Sequence, residues 1–418
     1  MALTLANADA ALKEWYLPAI RYQLNNDTPI LNIIGQRTVD IEGRRAVLSL
    51  RLGRNFGIGA RADGGTLPNA GNQQYAEERV PLRYNYGVGQ ITGPTIEQTG
   101  SDRGSFIRAV SSETEGVTDD LKRDFNRQIW GTSNGVIAQC GVSGPSTTIA
   151  LNAVTPDSAV RQFFIGQRID VGTVAQLGAG VGGKVYGAAI SAIVTTPGAA
   201  TLTIDSSITV AATDFISMAG SGGISPQKEL TGLQSIVAAS GLLFNVDPAS
   251  QPVWASRVDA NGGTPRAISE NLMGRNMQLV QIACGEWLTH YIGSDGVHRA
   301  YANLLMAQKR YPNARELPGG YTALDFAAAG PIIPVIYDRD CPSGVTATPQ
   351  TVGGNLFGLN AKHLYMGSAS DWAFMNRDGA VLSRTGTTDA YNFVLYRYAE
   401  TFTDKRSAHV RISDLLEA

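Results

Sequence analysis

Two runs of alternating side chains constrain this chain more than any other feature. In RRAVLSLRL, from Arg44, the residues Ala46, Leu48, Leu50 and Leu52 share one face of an extended strand, and Arg45, Ser49 and Arg51 share the other. Over 77–89, Val80, Leu82, Tyr84, Tyr86 and Val88 alternate with Arg79, Arg83 and Asn85. Between the runs lies RNFGIGARADGGTLPNAGNQQY, residues 54–75, far longer than the usual hairpin loop. Pro81 cannot donate to a ladder, which places its strand at an edge. A two-stranded ribbon is marginal in water by itself. One with an aromatic face and a long glycine-rich tip needs an external surface to lie on, and this favours an assembly protein over an enzyme.

The second constraint is SDRGSFIRAVSSETEGVTDDLKRDFNRQIWG, residues 101–131. Phe106, Val110, Val117, Leu121, Phe125 and Ile129 recur at helical steps; Ser101 or Asp102 can cap the start, and Gly131 can supply a left-handed stop. The apolar stripe is narrow and the flanks are polar, so the pattern predicts a long helix laid across a sheet, with flanks turned to solvent or to a neighbouring subunit. Gly116 sits mid-helix, where a bend is expected.

At 418 residues the chain exceeds one compact core. Residues 1–36 combine a short helical pattern around Trp15 and Tyr16 with an extended NNDTPILNIIGQ, an arm that packs either on its own domain or on a neighbour. From about Val136 to Gly223 charge thins out, and the runs GQRIDVG, GAAISAIV, ATLTID and DFISMAG, separated by turn signals, predict a small inserted barrel or sandwich. Residues 265–283 read as a helix with a proline in its first turn, and 297–310 as a second helix. AAGPIIPVIYDRDCP reads as a buried strand, LFGLNAKHLYMG and WAFMNRDGAVLSR as strands with a turn at Asn376–Gly379. In the closing segment Ala408, Val410 and Ile412 share a face.

Catalytic and cofactor chemistry lack materials. GAGVGGKV contains Gly178, Gly180 and Gly183 at dinucleotide-motif spacing, but Val185 stands where a phosphate loop needs Ser or Thr after Lys184, and strand patterns lie on both sides. Asp338, Arg339 and Asp340 beside Cys341 and Pro342 read as a strand-end turn. The histidines His290, His298, His363 and His409 have no metal-ligand spacing, and no nucleophile elbow is present, so no catalytic, cofactor or metal residues are expected. Cys140, Cys284 and Cys341, odd in number and far apart, fit reduced thiols. The N-terminus does not read as a secretory signal, and no apolar run is long enough to cross a bilayer. Net charge of −2 gives no case for a nucleic-acid or membrane surface. The arginines on the ribbon, Arg44, Arg45, Arg51, Arg54 and Arg61, therefore read as ion-pair partners for a neighbouring subunit.

The order of parts (arm, glycine-tipped ribbon, long helix, a return through ELTGL at 229–233, the GPIIPV strand, the DWAFMNRDGAVLSR hairpin and a last strand near RSAHVRISDL) resembles the major capsid proteins of tailed bacteriophages. That fold is shared with encapsulins and the herpesvirus capsid floor. The resemblance implies an α+β capsid fold: an N-terminal arm at 1–36, an extended β-ribbon loop at 37–93 and a peripheral domain with its spine helix at 94–135. It further implies an axial domain at 224–355 and strands at 356–418 returning to both domains. The insertion at 136–223 departs from the minimal pattern and would either stabilise the monomer or decorate the shell. Implied partners are copies of the chain in pentamers and hexamers, a separate scaffolding protein, a portal, a decoration protein, and packaged double-stranded DNA contacted without sequence preference. The expected place is the virion, assembled in the bacterial cytoplasm, with an encapsulin-like compartment as the alternative. Arg45, Arg51, Arg54, Phe56, Arg61, Tyr84 and Tyr86 are the expected inter-subunit contacts.

Overall fold

The computed structural model describes residues 27–35, 38–99, 109–179, 183–222, 227–307, 315–316, 322–327, 330–347, 349–376, 381–384 and 388–418. Most of the expected arm, the cap candidates Ser101 and Asp102, Phe106, Gly180 and most of the expected turn after Asn376 lie outside the described residues. The described chain divides into two compact units, one formed by Tyr86–Lys122 and Trp372–Tyr396, the other by Asp27–Asn85, Arg123–Asp371 and Arg397–Ala418.

In the larger unit a short helix, Pro29–Gly35, buries Ile30 and Ile34 and is followed by β1 (Thr38–Asp40). The ribbon is β2 (Arg45–Gly53) antiparallel to β3 (Gln74–Pro81), with Ala46 opposite Val80, Leu48 opposite Glu78 and Leu50 opposite Ala76. The expected second run does not continue unbroken to Val88. Pro81 offers no N–H, β3 ends there, and β4 (Arg83–Thr92) begins a separate strand that pairs elsewhere. The facing changes at this break: Val80 and Leu82 are buried, but beyond them Asn85, Gly89 and Ile91 are buried, leaving Tyr84, Tyr86 and Val88 exposed.

The long helix spans Ala109–Trp130, with Gly116 inside its hydrogen-bonded pattern. Gly131 does not take the expected left-handed conformation; the positive φ angles after the helix fall on Ser133 (70°) and Gly135 (72°). Gly131 N–H instead bonds Gln128 O at 3.0 Å in a tight final turn.

The island at 136–223 folds as β5 (Val136–Gln139), β6 (Ser143–Ala150), β7 (Arg168–Gly172), β8 (Val185–Val194), β9 (Thr201–Val210) and β10 (Phe215–Met218). They hydrogen-bond in the order β5-β10-β7-β8-β9-β6, and the two ends meet through a bridge between Cys140 and Leu151, closing a small barrel. Ile149, Ile169, Val171, Leu202 and Ile216 fill it completely buried. Buried Asp170 accepts the N–H groups of Gly187 and Gly220, both at 2.8 Å; these glycines turn with φ of 66° and 78°. Closure also brings the chain's way in beside its way out: a Cβ on Gly135 would stand 2.8 Å from Gly222 Cα.

The remaining strands are β11 (Arg257–Asp259), β12 (His290–Gly293), β13 (Arg315–Glu316), β14 (Thr322–Phe326), β15 (Ile333–Tyr337), β16 (Gly354–Leu359), β17 (Tyr365–Phe374), β18 (Ser383–Arg384), β19 (Ala390–Phe402) and β20 (Val410–Leu415). Seven of them form a mixed sheet in the order β11-β20-β16-β12-β15-β14-β13. Two helices pack with it, Glu270–Cys284 and Asp295–Ala307, through Met273, Met277, Val297 and Tyr301. The first starts later than expected. Pro265 lies outside it, Ser269 Oγ accepts Leu272 N–H at 3.2 Å as the cap, and Gly285 ends it at φ 80°. Ala408, Val410 and Ile412 are buried as their alternation requires, and β1 runs parallel to β17.

In the smaller unit β18 pairs with β19, Ser383 opposite Asn392, and Phe374 meets Phe393 edge to face at 6.2 Å. Gly87 lets β4 approach the long helix, since a Cβ there would stand 2.8 Å from Val117 Cγ1.

Candidate assembly surface

The ribbon's outer face and tip carry most of the residues expected to touch a neighbour. Arg45, Arg51 and Arg54 are exposed, and Phe56 is 74 % exposed. Val47, Ile58, Leu67 and Tyr75 join them, with Ile58 and Leu67 79 % and 81 % exposed. The sequence reasoning missed these four: Val47 stands on a face read as polar, and Ile58 and Leu67 are single apolar residues among glycines and prolines. A run of bare apolar side chains at the end of a ribbon is unfavourable in water. Arg61 differs from the other arginines. It is exposed but donates from Nε to Thr66 O and from Nη1 to Ala60 O, both at 2.9 Å, so it folds the tip's own turn. Tyr84 keeps more than half its surface exposed while meeting Tyr398 edge to face at 5.0 Å, and Tyr86 is half exposed on the next outward position of β4.

The inner face of the ribbon is apolar with one exception. Leu50 and Val80 are buried, and so is Glu78, whose two carboxylate oxygens have no hydrogen-bond partner. Burial, with Asp404 nearby, pushes its carboxyl up to about 8. Arg79 N–H bonds Phe244 O at 2.8 Å, tying β3 to the body. Beneath Leu50 and Leu52 lies a cavity of about 230 Å³, walled on the far side by Trp254, Cys284, Asp404 and Lys405. Around it His363 bridges two carboxylates, Asp404 at 2.7 Å and Glu286 at 2.9 Å, and Lys405 reaches Glu286 at 3.3 Å. The hydrogen bond that His363 donates to Asp404 leads the effects that raise the His363 pKa; His363 in turn holds Glu286 at about 2.

The C-terminal end of the long helix shows the opposite handling of charge. Its polar flank was expected to face solvent or a neighbour, yet every residue from Phe125 to Trp130 is buried. Each polar one has a dedicated partner. Arg127 reaches Glu229 at 2.6 Å and Asp124 at 2.8 Å; Gln128 donates to Asn85 and accepts Leu230 N–H; Asn126 donates to Asp340 at 2.7 Å and Asp338 at 3.1 Å. Burial works against the Arg127 cation, but Asp124 and Glu229 outweigh it and hold its pKa above the usual value. Trp130 meets Phe357 of β16 at 5.1 Å, and the Arg397 guanidinium of β19 lies over Phe125 at 5.1 Å. The C-terminal end of the helix therefore rests on β16 and β19, with the closing strand β20 one place further on beside β16. ELTGL supplies the other side: Thr231 N–H bonds Glu400 at 2.6 Å, and Gly232 passes so close that a Cβ would stand 2.1 Å from Gly131 O.

The chemical motifs resolve into structural roles. Cys341 closes the strand-end turn after β15 through its N–H to Asp338 O, and burial raises its thiol far above the reactive range. Burial also lifts Asp338 to about 6, next to Asp340. The same turn anchors the barrel: Gln162 donates to Asp340 at 2.7 Å, and Ser158 and Ser343 exchange hydrogen bonds. Lys184 pairs with Asp214 at 2.7 Å, and β8 follows directly, without the helix a phosphate loop needs. Among the described residues no cluster of three or more His, Cys, Asp or Glu could hold a metal ion, and no helix is long and apolar enough to cross a membrane.

No protein-family model and no curated protein matches the sequence. Solved structures do match. The capsid asymmetric unit of cyanophage A-1(L) aligns over 97 % of this chain and 98 % of that one at 13 % identity, with a TM-score of 0.57. The fold is that of the tailed-phage capsid shell. The capsid of a native GTA particle superposes over 99 % of both chains at 10 % identity and a TM-score of 0.53. A holo-SrpI encapsulin complex from Synechococcus elongatus PCC 7942 aligns over 100 % of this chain and 97 % of that one at 7 % identity and 0.50. The capsid fold thus spans almost the whole chain, and its α+β mixture is as expected.

Proposed function

We propose that this chain is the major coat protein of a tailed bacteriophage, assembling through its ribbon into pentamers and hexamers of an icosahedral head that encloses double-stranded DNA. One observation carries the reading: a capsid-fold chain presents a ribbon whose tip leaves Phe56, Ile58 and Leu67 bare to solvent, an apolar patch of the kind that serves as a contact for another chain. In this reading Arg45, Arg51 and Arg54 pair with carboxylates of the adjacent copy, Phe56 packs against it, and Tyr84 and Tyr86 present contact area beyond the ribbon. Arg61 acts indirectly by shaping the tip. Residues 37–93 serve as the extended loop, 94–135 as the peripheral domain and 224–355 as the axial domain, with 356–418 returning to both. The barrel at 136–223 acts as a structural module fixed to the axial domain. The role is architectural and not enzymatic. Scaffolding, portal and decoration proteins act as separate partners, and the product is a virion assembled in the bacterial cytoplasm.

The test replaces residues 54–75 with a short turn. The expected product is a folded, soluble subunit that forms no closed shells by negative-stain microscopy and size exclusion; normal shells from this variant overturn the role of the tip. The encapsulin match over the full chain favours a second reading, a compartment shell holding a protein cargo. The contents of purified particles separate the two, DNA for the head and an enzyme for the compartment.

A further inference from the structure

Glu78 sits where the alternation of β3 places an apolar residue, opposite Leu48 and between the inward positions Ala76 and Val80. It is fully buried, neither oxygen has a partner, and the nearest influential charge, Asp404, has the same sign. An ionised carboxylate without partners in such a place carries a large desolvation cost, whereas the neutral acid does not. We infer that Glu78 is a proton-held latch: the ribbon stays seated on the body while this side chain keeps its proton, and ionisation is coupled to its lifting off.

The surrounding charges support this. From the body, Asp404 and Lys405 face the cavity under the ribbon; Lys405 is directed to Glu286, and His363 lies between Glu286 and Asp404, so the nearby cations are engaged by other carboxylates. Glu77 and Arg79, the neighbours of Glu78 on β3, point outward and pair with each other at 3.0 Å; on β2, Arg45 lies on the exposed face, and Arg51, also exposed, borders the cavity. Burial first, and Asp404 second, raise the seated carboxyl to about 8 from an ordinary 4.5. The sign follows. The seated state binds a proton that the lifted state releases, so seating is strongest below 4.5, weakens by about tenfold for each pH unit up to about 8, and is constant above that. The latch operates within one copy of the chain and does not depend on shell assembly.

Hydrogen exchange on the full-length unassembled chain tests it. Protection of the β2 and β3 amides, referred to the unstructured rate at each pH, is expected to fall by about tenfold per unit between pH 5.5 and 7.5 in the wild type. In Glu78→Gln it is expected to stay flat. The amides of the helix Glu270–Cys284 serve as a control and should not follow the ribbon. Flat wild-type protection, a Glu78→Gln variant that falls in step with the wild type, or a control helix that falls by the same factor each overturns the latch. Should Glu78→Gln fail to fold, Glu78→Met gives the same comparison.

Discussion

Two buried carboxylates in this molecule are treated in opposite ways. Glu229 lies at the end of the long helix, gripped by Arg127 at 2.6 Å, and the next two residues of ELTGL, Leu230 and Thr231, are bonded to Gln128 and Glu400. Glu78 lies under the ribbon with neither oxygen bonded. The first arrangement makes a junction that cannot be opened without stranding a charge. The second makes one whose opening relieves a penalty once the pH is high enough. A capsid-fold subunit thus has a fixed body and a ribbon whose attachment is conditional, and the difference lies in where the counter-ion was placed.

The largest expected effect breaks the fixed side. Arg127→Met strands Glu229 and should cost about 3–5 kcal/mol in urea denaturation, with Arg127→Met/Glu229→Leu recovering most of it. A loss under about 1 kcal/mol would make the two carboxylates equivalent and remove the contrast. On the conditional side the sign reverses. Glu78→Leu should stabilise the protein by about 4 kcal/mol at pH 8 and by nearly nothing at pH 4.5, because only the wild type pays for ionisation in between. A destabilised Glu78→Leu at pH 8 would show that the glutamate has a partner after all. The smallest effect lies away from both sites. Gly116 has open space around its missing Cβ, so Gly116→Ala should gain about 1 kcal/mol by helix propensity alone. A loss there would mean that the helix needs the freedom of a glycine.

The sequence made the periodic elements legible and the partnered ones illegible. Alternation in RRAVLSLRL located the inner row of the ribbon, and the four apolar runs between Gly166 and Gly220 became β7 to β10. Strands β5 and β6 escaped notice because VIAQ is short and SGPSTTIA lacks alternation. The polar flank of the long helix was misread because burial of Asn126, Arg127 and Gln128 depends on partners as distant as Asp340 and Glu229, which no local pattern encodes. Glu78 was invisible for a related reason: EER on a strand reads as a solvated face until register places its middle member opposite Leu48. At the candidate surface the arginines and Phe56 were legible by type, whereas the inward turn of Arg61 required the loop's carbonyls to be seen.

The meeting of Gly135 and Gly222 has a consequence for how such a chain can change over time. A module of more than eighty residues hangs from two backbone points already at contact distance, so one peptide's worth of linker closes the gap if it is deleted. The body need not be rethreaded, and a different module with neighbouring ends could occupy the same socket. What holds the present occupant in place is its grip on the turn after β15, through Gln162 to Asp340 and Ser158 to Ser343. A replacement would have to offer Asp340 a donor in place of Gln162 or leave that acid with Asn126 and Arg339 alone, so this turn constrains what the socket can accept.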